Sequence, residues 1–191
     1  MKRSGLALLC VIATGLTASL ALSLGSDQEN DKQQAMTLAD ARQLIAEQRQ
    51  LDTISKATWK QLLTKEQYDI MWRSKTERAF TGKLLDNKDS GVYVTAGCQL
   101  PVFHSSHKFK SGTGWPSFWE ALDKNNIVLK DDWFLGFKRT EILSRCGEHL
   151  GHVFDDGPAP TGLRYCINSV ALNFVPDKNP AMTPIETNPI E

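Results

Sequence analysis

The hydrophobic pattern changes character along the chain. Residues 6–24 are almost continuously apolar, broken only by small residues such as Gly15, Thr17 and Ser19, and they follow a basic Lys2-Arg3 start. That order, with the small-x-small triplet Ala21-Leu22-Ser23, reads as a secretory signal cut after Ser23 or Ser26. The run also approaches the ~20 residues that span a bilayer, so an uncleaved anchor over residues 5–24 is the other reading. A lipid anchor through Cys10 is disfavoured, because Leu9 stands where a small residue is expected. In either case the rest of the chain is expected outside the cytoplasm, in the periplasm or cell envelope. Residues 27–36 are polar, without an apolar period, and read as a linker. Thr37 with Asp40 then forms a weak capping pair before Leu38, Ala41, Ile45 and Gln48, a partly helical spacing. This helix could pack on the domain or act as a spacer. Thr64 with Gln67 is a better capping box, and Tyr68, Met71 and Trp72 behind it form an apolar helical face.

Beyond the helices the period falls to two. Gly91-Val92-Tyr93-Val94-Thr95, Ile127-Val128-Leu129 and Trp133-Phe134-Leu135-Gly136-Phe137 read as strands. Residues 138–145 alternate less cleanly, with Thr140, Ile142 and Ser144 facing one way and Arg139, Glu141 and Leu143 the other. Residues 164–174 lie between Pro160-Thr161-Gly162 and Pro176, are rich in β-branched and aromatic types, and read as one strand. Several strands, turn clusters and no βαβ rhythm predict a mainly β domain of antiparallel sheets. The expected organisation is a signal or anchor over 1–26, a linker and helix over 27–54, the β-rich domain over 55–176 and a tail over 177–191.

Candidate chemistry sits on the last strand. Alternation puts Arg164, Cys166 and Asn168 on one face. A guanidinium beside a thiol favours the thiolate, the nucleophilic form. A lone cysteine on a strand is more often a buried structural residue. Two imidazoles just upstream, His149 and His152, reverse that balance, because cysteine with nearby histidine is a nucleophile arrangement. His104 and His107 read as solvated loop residues.

Three ordered motifs now point one way: Ser111-Gly112-Thr113-Gly114-Trp115-Pro116-Ser117-Phe118, the stretch 149–158, and the stretch 162–169. Weaker matches are Thr76-Glu77-Arg78-Ala79-Phe80-Thr81-Gly82 and residues 92–103. Over residues 55–176 the chain resembles the methionine sulfoxide reductases of the B type, which reduce the R epimer of methionine sulfoxide. The resemblance implies two small antiparallel sheets with helices at the N-terminal side. It implies that Cys166 attacks the sulfoxide sulfur and becomes a sulfenic acid, later regenerated by a dithiol. By the same resemblance Trp115 offers its indole to the substrate methyl, Phe154 helps to line the pocket, and His149 and His152 polarise the oxygen or donate a proton. Asn168 would hydrogen-bond within the site and Arg164 would favour the thiolate. The other tryptophans, Trp59, Trp72, Trp119 and Trp133, read as packing.

Composition changes little in this picture. The chain has 191 residues, 41% of them hydrophobic, with 22 basic and 22 acidic side chains. Losing Lys2 and Arg3 with the N-terminus leaves 20 against 22, a net charge of −2. Nothing there supports a nucleic-acid or anionic-membrane partner. The expected partners are oxidised protein substrates and a thioredoxin-like or other dithiol reductant, and the expected form is a monomer.

Two departures from the family pattern matter. Many members hold a structural zinc with two Cys-x-x-Cys pairs, but here only Cys98 and Cys146 remain, and two thiolates cannot make a Cys₄ site. No cofactor and no structural zinc are therefore expected. Many members also keep a resolving cysteine where this chain has Thr113. Cys98 and Cys146 could pair with each other, as an exported compartment permits, or one of them could resolve Cys166. The alternative function, from another class, is a non-catalytic zinc-binding or scaffold module of the envelope, with Cys98, Cys146, His149 and His152 as ligand types.

Overall fold

The computed structural model describes residues 36–134 and 136–177. The expected signal or anchor, residues 27–35 of the linker, and the tail beyond 177 lie outside the described residues. Three short helices open the fold: α1 (Leu38–Ala46), α2 (Lys56–Leu62) and α3 (Lys65–Arg73). Each start is fixed by a side chain that meets otherwise orphaned backbone N–H groups. Thr37 and Asp40 cap each other reciprocally, Ser55 accepts from the Thr58 N–H, and Thr64 and Gln67 form the second reciprocal box. Ala41, Leu51 and Ile54 are buried together with Trp59, Leu100, Cys98 and Cys146. Residues 36–54 thus pack on the domain and do not serve as a spacer. Trp59 and Trp72 stack at 5.6 Å between ring centroids, tying α2 to α3.

Among the described residues nine strands follow: β1 (Gly91–Thr95), β2 (Pro101–His104), β3 (Lys108–Phe109), β4 (Ser117–Phe118), β5 (Ile127–Phe134), β6 (Phe137–Ser144), β7 (His149–Phe154), β8 (Arg164–Ile167) and β9 (Leu172–Pro176). They build a three-stranded sheet, β2-β1-β9, and a six-stranded one, β3-β4-β8-β7-β6-β5. All the pairings are antiparallel. The fold is the mainly β arrangement of two antiparallel sheets that the sequence predicts. Between the sheets, Phe103 stacks on Phe118 at 4.5 Å, and Tyr93 meets Phe118 edge-on at 4.9 Å. Ile142, Leu150 and Ile167 are fully buried against them.

Two sequence-predicted strands are divided. The run 133–137 is a hairpin: β5 ends at Phe134 and β6 begins at Phe137. Gly136 supplies a φ of +83°, which a residue with a Cβ resists. The run 164–174 is two strands in different sheets, separated by a helical turn at Ser169–Ala171. The break has a physical cause in the Glu77 carboxylate. It accepts from the Ser169 N–H at 2.7 Å and the Val170 N–H at 3.0 Å, so these donors leave the ladder. The stretch 149–154, which sequence analysis leaves outside any strand, is β7.

Cys98 and Cys146 are joined by a disulfide that connects the β1–β2 turn to the β6–β7 turn across 48 residues of sequence. Beside it the buried Glu148 carboxyl accepts from the Cys98 N–H at 2.9 Å and the Ser144 hydroxyl at 2.8 Å. Burial pushes the Glu148 pKa up. Closing a loop of this size stabilises a chain by about 4 kcal/mol through the entropy of the unfolded state. Replacing both cysteines with alanine should therefore lower the melting temperature by about 10 °C. Dithiothreitol should bring the unsubstituted protein to the same value and leave the double variant unmoved. Calorimetry showing one melting temperature for all three would rule out a stabilising role.

Candidate active site

The site is a register row across the six-stranded sheet. Cys166 on β8 lies opposite Ser117 on β4 and His152 on β7. His152 lies opposite Glu141 on β6, and Glu141 opposite Lys130 on β5. Direct cross-strand partners share a face, with Cβ atoms about 5 Å apart. The neighbouring rows, with Tyr165 and Phe118 on one side and Ile167 and Ile142 on the other, point into the core.

His149 joins this face by an irregularity. Three residues from His152, it would face the opposite way in a regular strand. Ile142 pairs with Gly151, but Leu143 pairs with His149, so Leu150 is an extra residue in β7. This bulge swings His149 round until its ring centroid is 5.4 Å from that of His152. His149 is 2% exposed, and its Nδ1 is 2.7 Å from Glu141 Oε1. A carboxylate there can only accept, so Nδ1 carries the proton. His149 Nε2 is buried and has no hydrogen-bond partner among the described residues. Burial pushes the His149 pKa down, against the pull of Glu141. His152 places Nε2 2.9 Å from Asp132 Oδ2, and Arg139 pairs with the same carboxylate. His152 and Arg139 hold the Asp132 pKa below the usual carboxylate range.

Cys166 is the free cysteine among the described residues. Its thiol is governed by opposing effects. Burial pushes its pKa up, while the Arg164 charge and the Thr113 hydroxyl pull it down, and the net direction is upward. The Arg164 charge thus opposes burial without overcoming it. The guanidinium is pinned by Asp156, at 2.8 Å through both Nε and Nη2, and sits 4.4 Å from the Phe154 ring centroid. Phe154 thus meets Arg164, its cross-strand partner, in a cation–π contact.

Thr113 brings Oγ1 to 4.0 Å from Cys166 Sγ. Its hydroxyl is 2.8 Å from that of Ser111, which is 2.7 Å from that of Ser117. Trp115 follows on the same loop, whose Gly112 and Gly114 hold φ of +78° and +94°. The Trp115 indole N–H donates to the Glu77 carbonyl at 3.2 Å, and the Ile167 N–H donates to the Pro116 carbonyl at 3.0 Å. The loop is thereby fastened beside Cys166.

Asn168 is placed differently from the expectation. β8 ends at Ile167, so Asn168 does not continue the Arg164–Cys166 face. Its Oδ1 accepts from the Glu77 N–H at 3.0 Å, and its Nδ2 donates to the Leu150 carbonyl at 3.0 Å. It clamps the bulge that orients His149. Asp132, Asp156 and Glu77 were not singled out from sequence. Glu77 and Asp156 lay within matched motifs, and Glu141 was noted only as an alternating strand position.

The zinc module of the alternative reading is not assembled. Cys98 and Cys146 are bonded to each other, while His149 and His152 are committed to Glu141 and Asp132. Cys98, Cys146 and Glu148 do cluster within 4.8 Å. Two sulfurs in a disulfide and one carboxyl do not fit the four-thiolate donor set of a structural zinc.

Comparison with known proteins identifies the family. The SelR domain model matches residues 63–176. A peptide methionine sulfoxide reductase MsrB of Methanosarcina barkeri is 54% identical over 121 residues, covering 63% of this chain and 85% of that protein. Its namesake in Thiobacillus denitrificans is 55% identical over 121 residues, covering 63% and 92%. That of Alteromonas mediterranea is 45% identical over 137 residues, covering 71% and 96%. The chain belongs to the SelR-domain family of B-type methionine sulfoxide reductases.

Proposed function

We propose that the protein reduces methionine-R-sulfoxide in oxidised proteins, with Cys166 as nucleophile and a thiol reductant as electron source. The observation that carries the reading is the row Cys166–His152–Glu141, joined by His149 through the bulge. It sets one free thiol beside two imidazoles, each oriented by a carboxylate. The Cys166 thiol attacks the sulfoxide sulfur, and the oxygen passes to Cys166 as the methionine thioether leaves. One two-electron exchange thus yields methionine and a sulfenic acid. The Cys166 proton leaves as the sulfur attacks and passes by way of His149 and His152 to the sulfoxide oxygen, and Trp115 seats the methyl group. Two external thiols then restore Cys166 as a thiol, releasing water and a disulfide.

With Thr113 at the usual resolving position and Cys98 bonded to Cys146, we read Cys166 as reduced directly by the external thiol. The donor set at Cys98, Cys146 and Glu148 supports a domain that works without zinc. Every group in the row comes from one chain, so a monomer suffices. The basic, then apolar, N-terminal pattern supports export, and a disulfide suits an oxidising compartment.

The direct test uses residues 27–191, separated R and S epimers of an oxidised peptide, and excess small dithiol. We expect turnover of the R epimer alone, lost in Cys166→Ser; turnover of neither epimer would refute the reading. Mass analysis of the expressed full chain should find it shortened to Leu24 or Asp27, and an intact Met1 in a membrane fraction would favour the anchor. Because burial outweighs the Arg164 charge, alkylation of Cys166 by iodoacetamide should accelerate with pH up to and beyond the ordinary thiol range. Arg164→Gln should move that inflection upward. Asp156→Asn should move it downward, since the Asp156 charge raises the thiol pKa. Equal profiles for the three proteins would remove Arg164 from the machinery.

A further inference from the structure

Phe80 is held in a conformation that its side chain disfavours. Its φ is +65°, in the left-handed region where a bulky residue is an outlier. The Phe80 N–H donates to the Gly114 carbonyl at 2.8 Å. The ring lies so close over Gly114 that a Cβ there would come within 2.9 Å of it. Yet the side chain is 69% exposed, so core packing does not repay the strain. Strain of this kind collects where a site needs a group held in place.

The ring borders a groove of about 590 Å³ that shares the Ser111–Ser117 loop with the candidate active site. Trp115 and Ser117 line it, and Ser117 is the cross-strand neighbour of Cys166. Phe109, on the outermost strand β3, is a further aromatic wall. The volume lies within the ~300–1,000 Å³ usual for ligand sites, more than a single methionine side chain needs. The groove is also charged. Lys88 and Lys110, both exposed, line it together with a single acid, Asp86. A third lysine, Lys108, is spent inside the wall, donating to the Leu85 and Asn87 carbonyls at 2.7 Å each.

We propose that this groove binds the residues flanking methionine sulfoxide in an extended polypeptide, gripping them with Phe80 and Phe109 and favouring an acidic flank through Lys88 and Lys110. The inference rests on the reductase reading and names the substrate feature that site recognises. Continuity with the Trp115 wall makes the occupant the same chain that presents the sulfoxide. The excess of lysine in the lining sets the preferred charge.

The test compares three R-sulfoxide substrates on residues 27–191: a blocked single amino acid, a pentapeptide with aspartate on both sides of the sulfoxide, and one with lysine there. The aspartate peptide should exceed the lysine peptide in kcat/KM, and Lys88→Glu with Lys110→Glu should invert that order. Phe80→Gly is the sharper variant, because glycine adopts a φ of +65° without strain and the fold keeps its backbone. In it the ratio of kcat/KM for the aspartate peptide to that for the blocked amino acid should fall about tenfold, the worth of one good aromatic contact. An unchanged ratio in Phe80→Gly, or a wild type indifferent to flanking charge, would overturn the proposal while leaving the reductase intact. Turnover of none of the three by the wild type would overturn the reductase reading, and this inference with it.

Discussion

Asn168 joins the three segments on which the site depends. Its backbone N–H and its side-chain amide both donate to the Leu150 carbonyl, at 2.9 and 3.0 Å, and its Oδ1 takes the Glu77 N–H. Leu150 is the extra residue of β7, so these bonds fix the bulge that brings His149 round to His152. The Glu77 carbonyl in turn holds the Trp115 indole, and the Glu77 carboxylate caps the turn that follows Asn168. Asn168 and Glu77 are both buried. Each polar group left unpaired in such a place costs about 1–3 kcal/mol. The nucleophile strand, the imidazole strand and the tryptophan loop are therefore coupled through one buried amide and one buried carboxyl.

The electrostatics of the row follow from burial opposed by fixed partners. Cys166, His149 and Glu77 are each pushed towards their neutral forms by desolvation. Arg164, Glu141 and the Ser169 and Val170 N–H groups oppose that push without reversing it. A thiol that is mostly protonated in the free protein resists casual oxidation, since the thiolate is the reactive form. A sulfoxide entering the site meets imidazoles whose orientation is already set by Glu141 and Asp132. On the proposed reading, the chemistry is then a matter of bringing the sulfur to Cys166.

The cysteines have been redistributed from what the family resemblance would lead one to expect. The Cys98–Cys146 disulfide is packed among Leu51, Ile54, Trp59 and Leu100. Cross-linking the two turns holds them together in the folded chain, and the loop it closes restricts the unfolded one. With those two sulfurs engaged, Cys166 is the free thiol among the described residues, beside Thr113.

Local pattern alone determined a good deal. The capping boxes at Thr37 and Thr64, strand β1 and the mainly β class were all legible, because each depends on the pattern within short segments of the chain. Family resemblance carried Trp115 and also raised the pairing of Cys98 with Cys146 as one of two outcomes. What only the tertiary structure decided is non-local. The 164–174 run reads as one strand because nothing within it signals a stop. Its break comes from Glu77, about ninety residues earlier in sequence, which withdraws two N–H donors from the ladder. His149 and His152 are three apart, a spacing that gives opposite faces in any strand, and only the bulge clamped by Asn168 puts them on the same one. The carboxylates that orient the imidazoles belong to strands whose register is set across the sheet, and alternation within a strand says which face a residue takes but not which residue lies opposite.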